Sequence, residues 1–364
     1  MNMLRQKIRF LRWHLRHTIP MIVRHPSTYP ECPRKSALRR FLENLYIYLR
    51  DGSPCAAYDG MGLDLKGRSL DDFISNYSFF KCLDKEFWGT GKISPFPFQY
   101  LNQNSMTQVP LLQSKFLFWS YLDRHQIPVV PVLGHTIKGE FYSMTKQSPL
   151  ETLDSFFVKP DDANCGKMAF RVTRQDGTWF AEGQKLTQEQ LLRSDVNFVF
   201  QPLIVNHPDI RILNPSTLNT LRIVTCITKK GNYELWAPGV LRVGRADRSV
   251  DNFHQGGVAV GIDEIGRLKQ YGYSQDHELR YAKIARHPDT EHEFLGHVVP
   301  MYQEAVELCL KTHRLFPTLK AIGWDVAITP SGPMLLEANH DWDLEFIEIV
   351  HHQGCRARFL EIYG

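Results

Sequence analysis

Near its C-terminal end the chain alternates apolar and polar residues at the two-residue period of a strand. Ala321-Ile-Gly-Trp-Asp325-Val-Ala-Ile and Met334-Leu-Leu-Glu337-Ala-Asn339 read as two apolar strands around Thr-Pro-Ser-Gly-Pro. Residues i and i+2 of a strand share a face, so Glu337 and Asn339 project together while Leu336 and Ala338 turn away. A five-residue loop from Thr329 to Pro333 would set Asp325 opposite Glu337, with Gly323 leaving room beside Asn339. A four-residue loop would break this grouping, because a slip of one position turns every side chain over.

The same patterns predict the other elements. Leu4, Ile8, Leu11, Leu15 and Ile19 recur at helical spacing, Leu111 to Arg124 forms a further helix, and Ile127 to Leu133 a short buried strand. Strands follow at Phe157 to Pro160 and Met168 to Val172, separated by a polar turn from Asp161 to Lys167. A helix near Thr187 to Arg193 and a strand from Val196 to Leu203 come next. The C-terminal block alternates strands (Asn219 to Thr228, Tyr233 to Val243, Gly257 to Ile262) with a long helix, Val298 to Arg314. The first hundred residues are helical and loop-rich, with Pro and Gly punctuation.

Composition narrows the class. At 364 residues and 43% apolar content the chain buries a sizeable core and has room for two or three structural units. No run approaches the roughly 18 apolar residues of a spanning helix, and the start lacks the apolar core and cleavage site of a secretory signal, so a cytoplasmic location is expected. The seven cysteines are scattered without a C-x-x-C spacing, which points to reduced thiols and away from structural zinc.

The net charge of +4 is unevenly placed: residues 1 to 50 hold eleven Lys/Arg against Glu31 and Glu43. A basic amphipathic helix of this kind either lies on an anionic membrane surface, grips an acidic partner, or packs its apolar stripe on a neighbouring domain. No set of base-stacking aromatics accompanies the charge, which argues against nucleic acid.

Asp325, Glu337 and Asn339 are hard oxygen donors suited to Mg²⁺, which takes one or two carboxylates and completes its octahedron with water and phosphate oxygens. The alternative is a pair of solvated charges on an ordinary hairpin. A triphosphate brings about four negative charges, so its site also needs cations. Lys159 stands on an otherwise apolar strand, Lys167 ends the polar turn, and Arg222 and Arg242 each sit among apolar neighbours that must point into a core. Asp251-Asn252-Phe-His-Gln-Gly-Gly257 adds a flexible loop with an amide. Singly, each has a bland explanation: a snorkelling lysine, arginines paired with nearby acids, ordinary turn chemistry. His351-His352 beside His340 suggests a polar surface cluster rather than a metal site.

The order of these pieces resembles the ATP-grasp superfamily over roughly residues 110 to 345, and within it the sugar-transfer-associated ATP-grasp proteins of bacterial surface-polysaccharide synthesis. The narrower likeness rests on Asn214-Pro-Ser-Thr-Leu-Asn-Thr-Leu-Arg222, Val250-Asp-Asn-Phe-His-Gln-Gly-Gly257, His287-Pro288 and Gly323-Trp-Asp-Val-Ala-Ile328. The resemblance implies an α+β fold in which two subdomains grip ATP. Residues 1–105 would be a helical basic region, 106–155 a pre-grasp segment, 156–205 the small lid subdomain, and 206–364 the large subdomain with the metal site. It also implies that Lys159 contacts the α- and β-phosphates and that the loop ending at Lys167 closes over the triphosphate. Gln201 and Leu203 would line the adenine pocket, while Asp325, Glu337 and Asn339 hold Mg²⁺. Arg222, Arg242 and Asn252 would face the transferred phosphoryl group and the acyl intermediate. The chain departs from the family pattern at Gln201, where many members carry an acid, and at Cys165-Gly-Lys167-Met, where more glycine is common.

The activity so implied is an ATP-dependent carboxylate-amine ligase that works through an acyl phosphate and joins an amino acid or amino sugar to an envelope-polysaccharide precursor. A kinase acting on a sugar hydroxyl, and a non-catalytic adaptor docked at the inner face of the membrane by the basic helix, are the competing readings. Small-molecule acids and amines, rather than nucleic acid, are the expected partners.

Overall fold

Two seven-stranded antiparallel sheets and the helices that cover them make up the chain's ordered framework. The computed structural model describes residues 2–51, 55, 57–73, 108–148, 152–162, 169–181, 183–187, 190, 192, 195–246, 251, 253, 256–276 and 280–363. Helices α1 (Asn2–Arg16), α2 (Thr18–Arg24) and α3 (Ala37–Asp51) open the chain, and α4 (Val109–Gln113) and α5 (Lys115–Arg124) precede the first sheet. That sheet has the order β2-β1-β7-β3-β4-β5-β6. Its strands are β1 (Gly134–Ile137), β2 (Glu140–Ser143), β3 (Ser155–Pro160), β4 (Phe170–Gln175), β5 (Thr178–Ala181), β6 (Gln184–Leu186) and β7 (Phe198–Gln201). It thus starts before residue 156, drawing two strands from the segment 106–155.

The larger sheet has the order β12-β11-β10-β9-β8-β13-β14. It is formed by β8 (Thr220–Ile227), β9 (Tyr233–Val243), β10 (Val258–Ile262), β11 (Leu268–Gln275), β12 (Tyr281–Ile284), β13 (Ala321–Thr329) and β14 (Gly332–Asn339). Helix α6 (Tyr302–His313) packs across β8, β9, β13 and β14, and α7 (Leu344–His351) across β9, β10 and β11. Helix α8 (Arg356–Tyr363) ends the chain. Every residue of β13 is buried, as expected of a strand covered on both faces. Ile322, Trp324, Val326 and Ile328 pack with Ala305 and Cys309 of α6, whereas Ala321 joins a second core built with Ile22, Ile47, Tyr58 and Phe346. The N-terminal region therefore covers one face of the large sheet. Arg68 Nη2 donates to the carbonyl of His352, and Tyr29 Oη to that of Gly60.

Two stretches join the sheets. Leu133 N donates to Phe200 O after Val130 N has donated to Leu335 O, and His207 N donates to Ile328 O just beyond β7. Both crossings lie beside β13 and β14, so the hinge between the sheets borders the hairpin that carries Asp325 and Glu337.

The hairpin reaches the expected register by another route. Thr329 and Gly332 pair, leaving a two-residue turn in place of a five-residue loop, and a bulge between Asp325 and Val326 leaves Leu336 as the extra residue. The bulge restores the pairing that an even turn would have lost: Asp325 faces Glu337 and Gly323 faces Asn339.

Other elements depart from the sequence pattern for local reasons. The expected helix 111–124 breaks at Ser114, whose extended backbone and side chain, accepting from Leu117 N, cap α5. The expected strand 127–133 is reduced to a parallel bridge of Val129 with Leu335, since Pro128 and Pro131 cannot donate. The helix expected from Val298 starts at Tyr302, after Pro300 and a left-handed Met301. The N-terminal helix breaks at His17. Most of the helix expected at 187–193 lies outside the described residues. His351 and His352 are half-buried instead of on the surface: His351 Nε2 donates to Pro238 O, and the His352 ring lies 4.5 Å from that of Tyr29.

Under β13 a buried relay is fully used. Trp324 Nε1 donates to Thr225 Oγ1, which lies 2.7 Å from His313 Nδ1, while His313 Nε2 donates to Leu319 O. Burial holds the His313 imidazole down at about 4, so the folded state keeps it neutral while the unfolded chain, near 6.5, takes up the proton first. Stability from this site is present above about 6.5 and falls as pH drops toward about 4, at roughly 1.4 kcal/mol per pH unit. His351 and His352, lowered by burial to about 3 and about 4, add to the pH dependence in the same window, so denaturant titrations should show His313→Gln reducing the slope by about this amount without abolishing it; an unchanged slope in the variant would contradict the assignment.

Candidate functional site

The face of β13 opposite α6 carries Asp325, almost wholly buried beneath two arginines. Arg222, its cross-strand partner on β8, puts Nε 3.0 Å from Oδ1, and Arg242 on β9 puts Nη2 2.8 Å from Oδ2. The order β9-β8-β13-β14 explains the convergence, because Thr220 and Arg222 share a face of β8 while Thr220 pairs with Arg242 across the ladder. Gly323 makes space for it: a Cβ there would come within 2.9 Å of Arg222 Nη1 and 2.5 Å of Trp342 Cβ.

Glu337 adds a second carboxylate. Burial, together with Glu337, pushes the Asp325 carboxyl up against the pull of Arg222 and Arg242. Burial would raise Glu337 as well, yet Lys159 first and then Lys115 draw its carboxyl down to about 2. Lys159 belongs to β3 of the small sheet, Lys115 opens α5, and Glu337 lies on β14 of the large sheet, so charges from three separate elements meet here. Burial lowers the Lys159 ammonium, an effect that Glu337 opposes.

The position of Lys115 is fixed by a cap that ties α5 to the start of the polar turn. Ser114 Oγ donates to the Asp161 carboxylate, Phe116 N donates to Asp161 Oδ1, and Lys115 N donates to Asp161 O. His135 stacks on the Phe116 ring at 4.5 Å. On the far side of the site, Arg242 donates to Thr220 Oγ1, which donates to Asp251 Oδ2. Asp251 anchors to the sheet the loop that carries Asn252. The Asn214–Arg222 motif works through its amides: Asn219 N donates to Asn206 Oδ1, its Nδ2 to Asn214 O, and Gly244 N donates to its Oδ1.

Of the residues selected from sequence, the structure brings together Lys159, Arg222, Arg242, Asp325, Glu337 and Asn339. Gln201 is buried at the end of β7, pairing with Phe157, and Leu203 is half-buried in the hinge that follows. Lys167 and Asn252 lie outside the described residues. Lys115, Thr220 and Asp251 were not selected. Thr220 was within reach, since it stands two residues before Arg222 on one strand, but nothing in the helical pattern distinguishes Lys115 from a surface lysine.

A divalent cation fits this donor set. Asp325 Oδ1 has Arg222 Nε at ion-pair distance but no aligned hydrogen bond, and the buried Asn339 amide nitrogen has no hydrogen-bond partner among the described residues. Because amide N and O are interchangeable by a flip, Asn339 can equally turn an oxygen toward the carboxylates. Two adjacent carboxylates, one buried and one half-buried, and an amide oxygen are the hard donors that Mg²⁺ takes.

The chain belongs to the family described as sugar-transfer associated ATP-grasp, whose model matches residues 98–363. Solved structures with a similar fold include N5-carboxyaminoimidazole ribonucleotide synthetase from Thermotoga maritima (11% identity, TM-score 0.34, covering 71% of this chain and 47% of that one). An L-amino acid ligase from Bacillus licheniformis matches at 9% identity and TM-score 0.39 over 72% of this chain and 46% of that one. The Staphylococcus aureus N5-carboxyaminoimidazole synthetase, solved with ADP, matches at 10% identity and TM-score 0.36 over 65% and 45%. The chain thus spans about half the length of these structures. No curated protein matches it by sequence.

Because Asp325 neutralises two partly buried guanidinium groups, it also holds the framework. Asp325→Ala should cost about 3–5 kcal/mol of folding stability by stranding both arginines, measured by chemical denaturation; a loss below about 1 kcal/mol would contradict the pairing.

Proposed function

We propose that the protein is an ATP- and Mg²⁺-dependent carboxylate-amine ligase acting through an acyl phosphate, with a sugar or surface-polysaccharide precursor as one substrate. One observation carries the reading: lysines from the small sheet and from α5 act on a carboxylate of the large sheet, so cations and metal-type ligands meet where the sheets face one another. An ordinary hairpin with solvated charges would have neither the burial nor the facing lysines.

In this reading Asp325, Glu337 and Asn339 hold Mg²⁺, which supplies neutralisation of phosphate oxygens. Lys159 and Lys115 bind the phosphates, with Lys167 closing over them, and Gln201 and Leu203 line the base pocket. Arg222 and Arg242, fixed through Asp325 and Thr220, stabilise charge on a transferred phosphoryl group, a role shared with Asn252. The substrate carboxylate attacks the γ-phosphorus and ADP leaves; an amine then attacks the acyl carbon, the amide forms, and inorganic phosphate leaves. Positioning and electrostatics supply the acceleration, and no side-chain nucleophile is required. Supply of ATP puts the reaction in the cytoplasm. Among the described residues no helix is long and apolar enough to cross a membrane.

Glu337 is the better probe of chemistry, since Asp325 also supports the arginines. Glu337→Ala should reduce ADP release by a factor of about 10³ or more, the range seen for removing a transition-state charge stabiliser, while soluble folded protein is retained. Screening ADP release against panels of amino acids and nucleotide sugars, with hydroxylamine present, should yield a hydroxamate from the correct acid. A stable phosphorylated product without free phosphate would instead mark a sugar kinase, and unchanged ADP release in Glu337→Ala would overturn the assigned site.

A further inference from the structure

The opening helices present an apolar row left exposed among the described residues. Helix α3 buries Asn44 and Ile47, while Leu38, Leu42, Tyr46 and Leu49 stand 69%, 53%, 54% and 66% exposed. Steps of four, four and three residues set these on one side of the helix. Helix α1 lies against α3, with the His14 ring 5.0 Å from that of Tyr48, and exposes Phe10 and Trp13 at 53% each. The apolar stripe expected to pack inward does so only in part: Ile19 is fully buried, Leu11 and Leu15 are half-buried. Exposed apolar side chains scattered singly need no explanation, but a continuous row marks a contact surface.

The charges around the row are also uncommitted. Arg9, Arg12, Arg16 and Arg24 are exposed, and among the described residues none of them makes an ion pair. Two acids of this region are already taken, Glu43 by Lys35, Arg39 and Tyr58, and Glu31 by Lys283, while the side chain of Asp51 lies outside the described residues. A surface that is apolar along one helix and basic along its neighbour, with Glu43 of α3 already paired, matches an anionic lipid bilayer. Acyl-chain boundary would meet the leucines and aromatics, and phosphate headgroups the guanidinium groups.

We propose that the α1–α3 face docks the protein on an anionic membrane surface, α3 and the α1 aromatics supplying apolar insertion and the α1 and α2 arginines supplying charge attraction. Charge complementarity selects this occupant over a second copy of the chain, because a two-fold contact through this face would set the same arginines against each other. Neither half suffices alone, since stable anchoring takes two signals. The contact is independent of the nucleotide chemistry, and its test uses no catalytic readout.

The full-length chain should co-sediment with phosphatidylglycerol-containing vesicles at least tenfold more strongly than with phosphatidylcholine vesicles, and raising the salt should weaken that binding. Leu42→Glu combined with Leu49→Glu should reduce it at least tenfold, and Arg12→Glu with Arg16→Glu likewise, at about fivefold or more per reversed charge. Both variants change exposed positions and should keep the wild-type thermal midpoint. Equal affinity for neutral vesicles, no binding to either, wild-type binding by the leucine variant at an unchanged midpoint, or a dimer in solution that the leucine variant abolishes would overturn the proposal.

Discussion

Two carboxylates, the buried Asp325 and the half-buried Glu337, face each other across one hairpin, and the rest of the site is arranged to make that tolerable. Burying a carboxylate is costly unless cations or hydrogen bonds compensate it, and a second one beside it doubles the demand. The large sheet answers with Arg222 and Arg242, which clasp Asp325 at 3.0 and 2.8 Å. The small sheet and α5 answer with Lys159 and Lys115, which lower Glu337. The largest part of the compensation of Glu337 thus comes from outside its own sheet, with smaller contributions from Asp325 and Arg242 within it, and the electrostatics of the site depend on the two sheets staying together.

The hinge geometry follows from the same demand. Both chain crossings run beside β13 and β14, so movement between the sheets would change the distance from Lys159 to Glu337 without moving Arg222 away from Asp325. In the proposed function, a floor of paired arginines and carboxylates facing lysines from the small sheet and α5 is suited to holding a polyphosphate and its metal ion between them. The cap linking Ser114, Phe116 and Asp161 ties Lys115 to the residue that follows β3, so helix, lysine and the end of that strand are held together.

Much of this was legible in the sequence because strand alternation is a strong constraint. Asp325, Glu337 and Asn339 share a face whatever the turn, provided the register is right, and Arg222 and Arg242 had to leave the core because their neighbours fill it. What was hidden was how the register is achieved. A two-residue turn with a bulge at Leu336 and a five-residue loop give the same pairing of Asp325 with Glu337, and local sequence does not separate them. Lys115 was hidden for another reason: its role arises from the docking of α5 against Asp161, a contact 46 residues away in sequence. The break at Ser114 and the loss of the strand at 127–133 were written in a capping serine and two prolines, signals outweighed by the apolar run around them.

In the proposed function Glu337, held down mainly by lysines from the small sheet and α5, completes a metal-triphosphate site. Calorimetric titration with ATP, in the presence and absence of Mg²⁺, on the wild-type chain and on Glu337→Gln tests it most directly. Tight binding only with Mg²⁺ is expected of the wild type, and loss of the Mg²⁺ enhancement of the variant. ATP binding that ignores both the metal and the substitution would contradict it.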